Sequence, residues 1–269
     1  MAKGISLHIG LNRVDPAHYE GWDGTLNACE ADAKDMQALA KKQGFKSNTR
    51  LLTEHATVGV VSKAIRAAAK QLGKGDVFFL TYSGHGGQVK DTNGDEEKDR
   101  KDETWVLFDR QFVDDELYDL WSSFKAGVRI LVLSDSCHSG SVTRAIPAIL
   151  AGGPRARVMP PQIGEKVEAA HPKLYRAIQK AHPGAEKAKV QASILLISGC
   201  MDNQVSMDGD RNGAFTEMLK KVWGEGKFRG NYRKFRDTIV ARMPHTQTPN
   251  YYCVGAVNPG FEAQKPFTI

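Results

Sequence analysis

No stretch of this chain approaches the roughly 20 consecutive apolar residues that a membrane-spanning helix requires, and its first residues lack the pattern of a signal peptide. Cysteine is scarce. The four present, Cys29, Cys137, Cys200 and Cys253, stand far apart with no CxxC spacing, which argues against a disulfide framework or zinc knuckle and fits a reducing cytoplasm. No internal repeat or low-complexity tract is visible. Nor does the net charge of +6 come with an aromatic-rich recognition motif, since much of the basic excess lies in one segment after Ala145. Neither nucleic acid nor a membrane is therefore expected as a partner. What remains is an ordinary globular composition, 41% apolar and 25% charged over 269 residues, enough to bury a sizeable core.

Strand and helix patterns alternate along that length. Gly4 to Asn12 reads as a first strand, and Leu26 to Gly44 as a helix with Leu26, Cys29, Ala33, Met36, Leu39 and Ala40 along one face. Further strands are expected over Ser47 to Leu52, Asp76 to Tyr82, Thr104 to Asp109, Val128 to Leu133 and Ala192 to Cys200, with Tyr251 to Val257 as a last edge strand. Helices are expected over Thr57 to Leu72, Gly213 to Trp223 and Tyr232 to Met243, and a short one opens at Asp114-Asp115-Glu116, where carboxylates complement the helix dipole. Between Arg144 and Gln191 the chain is rich in Pro, Gly, Ala and basic residues. Apart from a helix at Pro172 to Ala181, that segment reads as a long exposed linker. The pattern predicts one α/β domain over 1–269, built from a block at 1–143, a basic linker at 144–191 and a smaller block at 192–269.

Two of these strands stop in reactive turns. Val128 to Leu133 is apolar but for Arg129, as in a strand buried on both faces, and it ends in Ser134-Asp135-Ser136-Cys137-His138-Ser139-Gly140. Asp76 to Tyr82 ends in Ser83-Gly84-His85-Gly86-Gly87. If the two strands are parallel neighbours, both turns lie at the carboxyl edge of the sheet, where ligands bind in open α/β folds. That edge would join a cysteine and a histidine far apart in sequence, as nucleophilic catalysis by a thiolate needs. The alternative for Cys137 is a buried structural thiol. With Cys137 as nucleophile and His85 as base, the backbone N–H groups of Cys137 and Gly86 could hold an oxyanion. His138 adjoins the nucleophile in a tight turn and would point away from it. Asp135 lies two residues before Cys137, and Asp32 and Cys29 are available from the first helix. Two carboxylates beside a cleavage site favour Arg or Lys.

Tyr82-Ser83-Gly84-His85-Gly86 and Asp135-Ser136-Cys137-His138-Ser139-Gly140 resemble the paired signatures of the caspase-like cysteine peptidases, and among them the metacaspases and their bacterial members, the orthocaspases. Leu26-Asn27-Ala28-Cys29-Glu30-Ala31-Asp32-Ala33 is similar to that family's first-helix motif. Ser198-Gly199-Cys200, Asn212-Gly213-Ala214-Phe215-Thr216 and Gln247-Thr248-Pro249 are similar to its small-subunit portion. The resemblance covers nearly the whole chain. It implies a caspase-like three-layer sandwich, with a mostly parallel central sheet and helices on both faces, acting as a monomeric cysteine endopeptidase on protein or peptide substrates. It makes His85 and Cys137 the catalytic dyad and assigns Cys29, Asp32, Ser83 and Asp135 to a pocket for the Arg or Lys before the cut. A silent caspase-like binding module, or a peptidase of the same clan with another specificity, are the rival readings.

Many metacaspases use calcium held by four aspartates. Asp102, Asp114 and Asp115 match three of them, but the fourth position is Arg144. A cation there removes an oxygen ligand and repels the ion, so no cofactor is expected to be required. Asp208 to Gly213 imitates the opening of an EF-hand loop, yet its twelfth position is Leu219 and not Glu; it reads as a loop and cap before a helix. Arg144, Arg155, Arg157, Lys166, Lys173, Arg176, Lys180, Lys187 and Lys189 stud the linker. An enzyme preferring basic residues could cut itself there, or the segment could cover its pocket.

Overall fold

The computed structural model describes residues 2–94, 100–137, 155–183, 189–201 and 204–269. The apolar runs form a six-stranded sheet from β1 (Gly4–Gly10), β2 (Ser47–Leu52), β3 (Val77–Ser83), β7 (Arg129–Asp135), β8 (Ser193–Ser198) and β9 (Asn250–Gly255), in the order β2-β1-β3-β7-β8-β9. All neighbours are parallel except β9, which runs antiparallel to β8. Side chains alternate between the two faces, as the period of a strand requires. Leu7, Ile9, Phe78, Leu80, Ile130 and Val132 pack beneath α2 (Val58–Gln71) and α3 (Asp114–Ser122). Val77, Phe79, Leu131, Leu133, Leu195 and Ile197 pack on the other face, against α1 (Cys29–Lys42) and two later helices, Ala214–Trp223 and Tyr232–Val240. This is the expected three-layer α/β sandwich.

His8 also faces inward. Its imidazole is fully buried, bonded to Ser6 Oγ at 2.9 Å and Thr81 Oγ1 at 3.0 Å. Burial drives its pKa down to about 3, so the ring is a neutral member of the core.

Two regions depart from the sequence expectation. The strand expected over Thr104 to Asp109 instead runs over Lys101–Val106, as β5 of a three-stranded antiparallel sheet with β4 (Gly86–Lys90) and β6 (Gln111–Val113). Alternation is present there, but buried Asp102 and Thr104 carry it, so hydrophobicity alone misses it. The second departure is larger. The described part of the 144–191 segment is no exposed linker: it forms α4 (Pro161–Ala170) and α5 (Pro172–Ala181), with Met159, Val167 and Tyr175 packed on Val14, Tyr19, Val89, Val106 and Val113. Few apolar residues, correctly spaced, suffice to dock helices whose remaining face is charged. His138, Arg144 and Lys187 lie outside the described residues.

Parallel pairing of β3 with β7 builds the edge that bears both reactive turns. Its register sets Ser83 opposite Asp135, so the turns bearing His85 and Cys137 leave the sheet side by side. Gly10, at the end of β1, lets α1 begin close against the same edge: a Cβ there would stand 2.2 Å from the Cys29 carbonyl oxygen. Asp32, in the first turn of α1, is carried to the site by that approach.

Candidate active site

At this edge four acidic or hydroxyl side chains surround one cation from the same chain. The Arg157 guanidinium is fully buried and donates through Nη2 to Asp32 Oδ2 at 2.7 Å and Asp208 Oδ1 at 2.9 Å. Through Nη1 it reaches Asp135 Oδ2 at 2.9 Å and Ser83 Oγ at 2.8 Å. Burial would lower the pKa of Arg157, but Asp135, Cys29, Asp32 and Asp208 overcome this and hold it well above its ordinary value. Asp32 is pushed up to about 6, mainly by burial, with Arg157 opposing and Asp135 adding to the rise.

The carboxylates are held in turn. Asp135 accepts from Thr216 N at 3.1 Å and Thr216 Oγ1 at 2.7 Å, in the first turn of α6 (Ala214–Trp223), and from Ser206 Oγ at 2.6 Å. A carboxylate at a helix N-terminus is favourably placed with respect to the dipole. Asp32 Oδ1 accepts from Asn212 Nδ2 at 2.8 Å and Gly213 N at 3.2 Å, while Asp208 Oδ2 accepts from Asn27 N at 2.7 Å. A Cβ at Gly213 would come within 2.4 Å of the guanidinium carbon, so only glycine leaves room for it. Cys29 is buried beside this box, and burial pushes its thiol far up.

Cys137 is buried next to it, its Sγ 3.0 Å from Cys200 Sγ and accepting from the Ser206 N–H. Burial and then Cys200 raise the Cys137 pKa well above the ordinary thiol range, so sulfur is held here as the neutral thiol. His85 is buried too. Its Nε2 donates to the Gly24 carbonyl at 2.9 Å, which leaves the lone pair on Nδ1, and Nδ1 has no hydrogen-bond partner. The Trp22 ring lies 4.9 Å from the imidazole, centroid to centroid. Burial lowers the pKa of His85 to about 4, so the ring is neutral near pH 7.

Gly86 N and Cys137 N meet on a single acceptor, the backbone oxygen of Arg157, at 3.1 and 3.0 Å. The structure therefore assembles Cys29, Asp32, Ser83, His85, Gly86, Asp135 and Cys137 at one sheet edge. Such a constellation can grip an arginyl residue by side chain and carbonyl together, with a thiol and a basic imidazole nitrogen beside it.

Two members escaped the sequence reading. Asp208, read as part of a loop and cap, completes the acidic box from 181 residues beyond its partner Asn27. Arg157 looked like one basic linker residue among many. Its neighbours Ala156, Val158 and Met159 are apolar within an otherwise basic segment, a weak signal that this part is buried.

The three candidate calcium ligands lie elsewhere. Asp102 Oδ2 accepts from Gln179 Nε2 at 2.6 Å, and the same amide nitrogen donates to the Lys90 carbonyl at 2.9 Å. Asp115 Oδ2 accepts from Asn93 Nδ2 at 3.0 Å. Amide donors thus reach Asp102 from α5 and Asp115 from the loop after β4, and a calcium ion, which needs oxygen ligands, would compete with the Gln179 amide at Asp102. Among the described residues, no group of three or more His, Cys, Asp or Glu could hold a metal.

Known proteins resemble this chain in sequence and in fold. The caspase domain of the Peptidase C14 family matches residues 14–259. Metacaspase-1A of Neurospora crassa is 39% identical over 153 residues, covering 51% of this chain and 32% of its own length. Metacaspase-1 of Ajellomyces capsulatus is 30% identical over 297 aligned residues, covering 94% of this chain and 80% of its own length. The chain spans only 32% and 59% of the Neurospora crassa and Mycosarcoma maydis relatives. A crystal structure of a Geobacter sulfurreducens protein superimposes with a TM-score of 0.90 at 54% identity, covering 99% of this chain and 98% of that one. Caspase-1 of Spodoptera frugiperda shares the fold, with a TM-score of 0.51 at 12% identity, covering 94% and 86%. This chain belongs to the caspase-domain family, and its curated relatives are metacaspases.

Proposed function

We propose that this protein is a cysteine endopeptidase that cleaves peptide bonds after Arg or Lys. One observation carries the reading: an arginine side chain already sits among Asp32, Asp135, Asp208 and Ser83. A fully buried cation is costly unless oxygens compensate it on several sides, and this box supplies that compensation for a guanidinium. An aspartyl or leucyl residue in the same box would add negative charge or leave carboxylates unpaired.

In this reading Cys137 is the nucleophile and His85 the base. The Gly24 carbonyl fixes the imidazole tautomer so that Nδ1 can take the thiol proton and later protonate the leaving amine. The Gly86 and Cys137 N–H groups stabilise the oxyanion, and water resolves the thioester. Asp32, Asp135, Ser83 and Cys29 form the pocket for the residue before the cut, with Asp208 added to them. The Gln179 amide bond to Asp102 supports activity without calcium. The partners are protein or peptide substrates. The chain acts as a cytoplasmic monomer without nucleic acid, and self-processing falls in the 144–191 segment. No described helix is long and apolar enough to cross a membrane.

A panel of fluorogenic peptides differing only at the cleaved residue tests this. Turnover is expected for Arg and Lys and not for Asp or Leu, and is lost in Cys137→Ala. Turnover of the aspartyl or leucyl peptide would transfer the protein to another specificity. No turnover of any peptide, without arginyl-electrophile labelling of Cys137, would make it a silent binding module.

A further inference from the structure

Arg157 is held by more than its side chain. Its N–H donates to the Ser206 carbonyl at 2.8 Å, and the Arg155 carbonyl accepts from Asp208 N at 2.7 Å, so residues 155–157 pair as a short antiparallel strand against 206–208. Beyond Arg157, Met159 N donates to the Gly86 carbonyl at 2.7 Å, and Val158 bridges Gly86 in parallel. The Arg157 carbonyl oxygen lies between the two N–H donors of Gly86 and Cys137. One peptide unit is therefore gripped on both sides: antiparallel pairing before it, two donors on its oxygen, and parallel pairing to Gly86 after it.

An arginine recruited only to neutralise three carboxylates would need its side chain in the box. It would not need its own carbonyl oxygen between the N–H groups of the two reactive turns. We infer that Arg157–Val158 is the bond this enzyme cuts in itself, and that Arg157 bars the pocket to other peptides until that cut is made. The inference rests on the peptidase reading, and it narrows self-processing from a whole segment to a single bond.

The chemistry balances within the chain and water. The Cys137 thiol turns from Cys200, gives its proton to His85 Nδ1, and its sulfur adds to the Arg157 carbonyl carbon. The C–N bond to Val158 breaks as His85 returns the proton to the Val158 nitrogen, leaving a thioester on Arg157. Water hydrolyses that thioester, releasing the Arg157 carboxylate and restoring the thiol. The newly exposed amino terminus is Val158, and the Arg157 end is then free to leave the acidic box.

The test incubates the purified full chain beside Cys137→Ala and follows intact mass, amino-terminal sequence and turnover of an arginyl fluorogenic peptide in the same samples. The full chain is expected to split into two pieces, one beginning Val-Met-Pro-Pro, while Cys137→Ala stays whole. Peptide turnover should rise with the fraction cut. Val158→Pro, which replaces the leaving nitrogen with a hindered tertiary amide, should stay whole and turn the peptide over at least about tenfold more slowly than cut enzyme. Turnover by a chain that remains whole, or a new amino terminus elsewhere such as after Lys166, overturns the inference and leaves the peptidase reading standing. Absence of both cleavage and turnover removes both. The pair of unsubstituted chain and Cys137→Ala decides the matter even where Val158→Pro fails to fold.

Discussion

Two sets of carboxylates in this molecule are satisfied by the same stretch of chain, in opposite ways. Asp32, Asp135 and Asp208 receive a guanidinium from Arg157. Asp102 receives a neutral amide from Gln179, 22 residues further on by sequence number. A buried guanidinium stays charged, so its planar fork of donors balances several carboxylates at once. An amide satisfies hydrogen bonding without bringing charge, and marks carboxylates used to fasten a helix. Counting acidic residues does not separate the two cases; the identity of the donor does.

The largest way to break that contrast is to neutralise one carboxylate in each set. Removing one partner of a buried charge pair costs about 3–5 kcal/mol, which is roughly a hundred- to several-thousandfold in rate at about 1.4 kcal/mol per tenfold. Asp135→Asn is therefore expected to lower kcat/KM for arginyl peptides by about that factor. Asp102→Asn should change it by far less, since the carboxylates that hold Arg157 are Asp32, Asp135 and Asp208. Equal losses in the two variants would erase the distinction. His85→Ala belongs at the same end of the scale, with a loss of about 10²–10⁴-fold for a general base.

Gly213→Ala sharpens the comparison from the other side, because it leaves every carboxylate in place. Its methyl group would meet the guanidinium carbon at 2.4 Å. An arginine in the box must then move by several tenths of an ångström and lengthen its bonds. The expected result is a KM for arginyl peptides raised about tenfold, with Lys, whose ammonium is more compact, affected less. Michaelis constants for matched Arg and Lys peptides check it; an unchanged arginyl KM would mean that substrate does not enter as Arg157 does.

Much of this was legible in the sequence, and the reason is local. The buried strands announce themselves as apolar runs, and the turns after β3 and β7 carry their His and Cys in the same few residues. Asp32 sits at a fixed helical offset from Cys29. The parts that were hidden depend on pairing between distant segments. Arg157 and Asp32 are 125 residues apart, and nothing within the basic segment distinguishes Arg157 from Arg155 or Lys166 until Ala156 is bridged to Met207. Asp208 is hidden for the same reason. The Gly24 carbonyl, which orients His85, is a backbone atom and leaves no trace in residue type.

Acid should act on the molecule through groups that work against one another. Asp32 holds its proton more tightly when folded, at about 6 against an ordinary 3.8; its contribution to stability is complete below 3.8 and is lost as pH rises through 6. His85, His18 and His8 hold theirs less tightly, at about 4, about 4 and about 3 against 6.5. Their contribution is complete above 6.5 and is lost as pH falls towards those values. Between pH 4 and 6 the three imidazoles outnumber the one raised carboxyl. The melting temperature is expected to fall on acidification from 6.5 to 4, less steeply in His8→Gln, and calorimetry across that range reads it. A curve that is flat or rises on acidification would contradict this assignment of charge.

Calcium should have the smallest effect, and that smallness separates the two carboxylate sets most cleanly. An ion binding at Asp102 has to break the 2.6 Å bond from Gln179 and with it the bond of the same amide nitrogen to the Lys90 carbonyl. The other end of that side chain accepts from Thr92 N at 2.8 Å, so Gln179 is fixed at both ends. Adding roughly 1 mM calcium to chelated enzyme, the weak end of calcium affinities, is expected to alter neither arginyl-peptide turnover nor melting temperature. Gln179→Ala removes the competing donor, and in that variant calcium should raise the melting temperature, because a ligand that binds only the folded state stabilises it by mass action. Activity that climbs from nothing as calcium is added to the unsubstituted chain would mean that the amide yields to the ion, and that both carboxylate sets are built for cations after all.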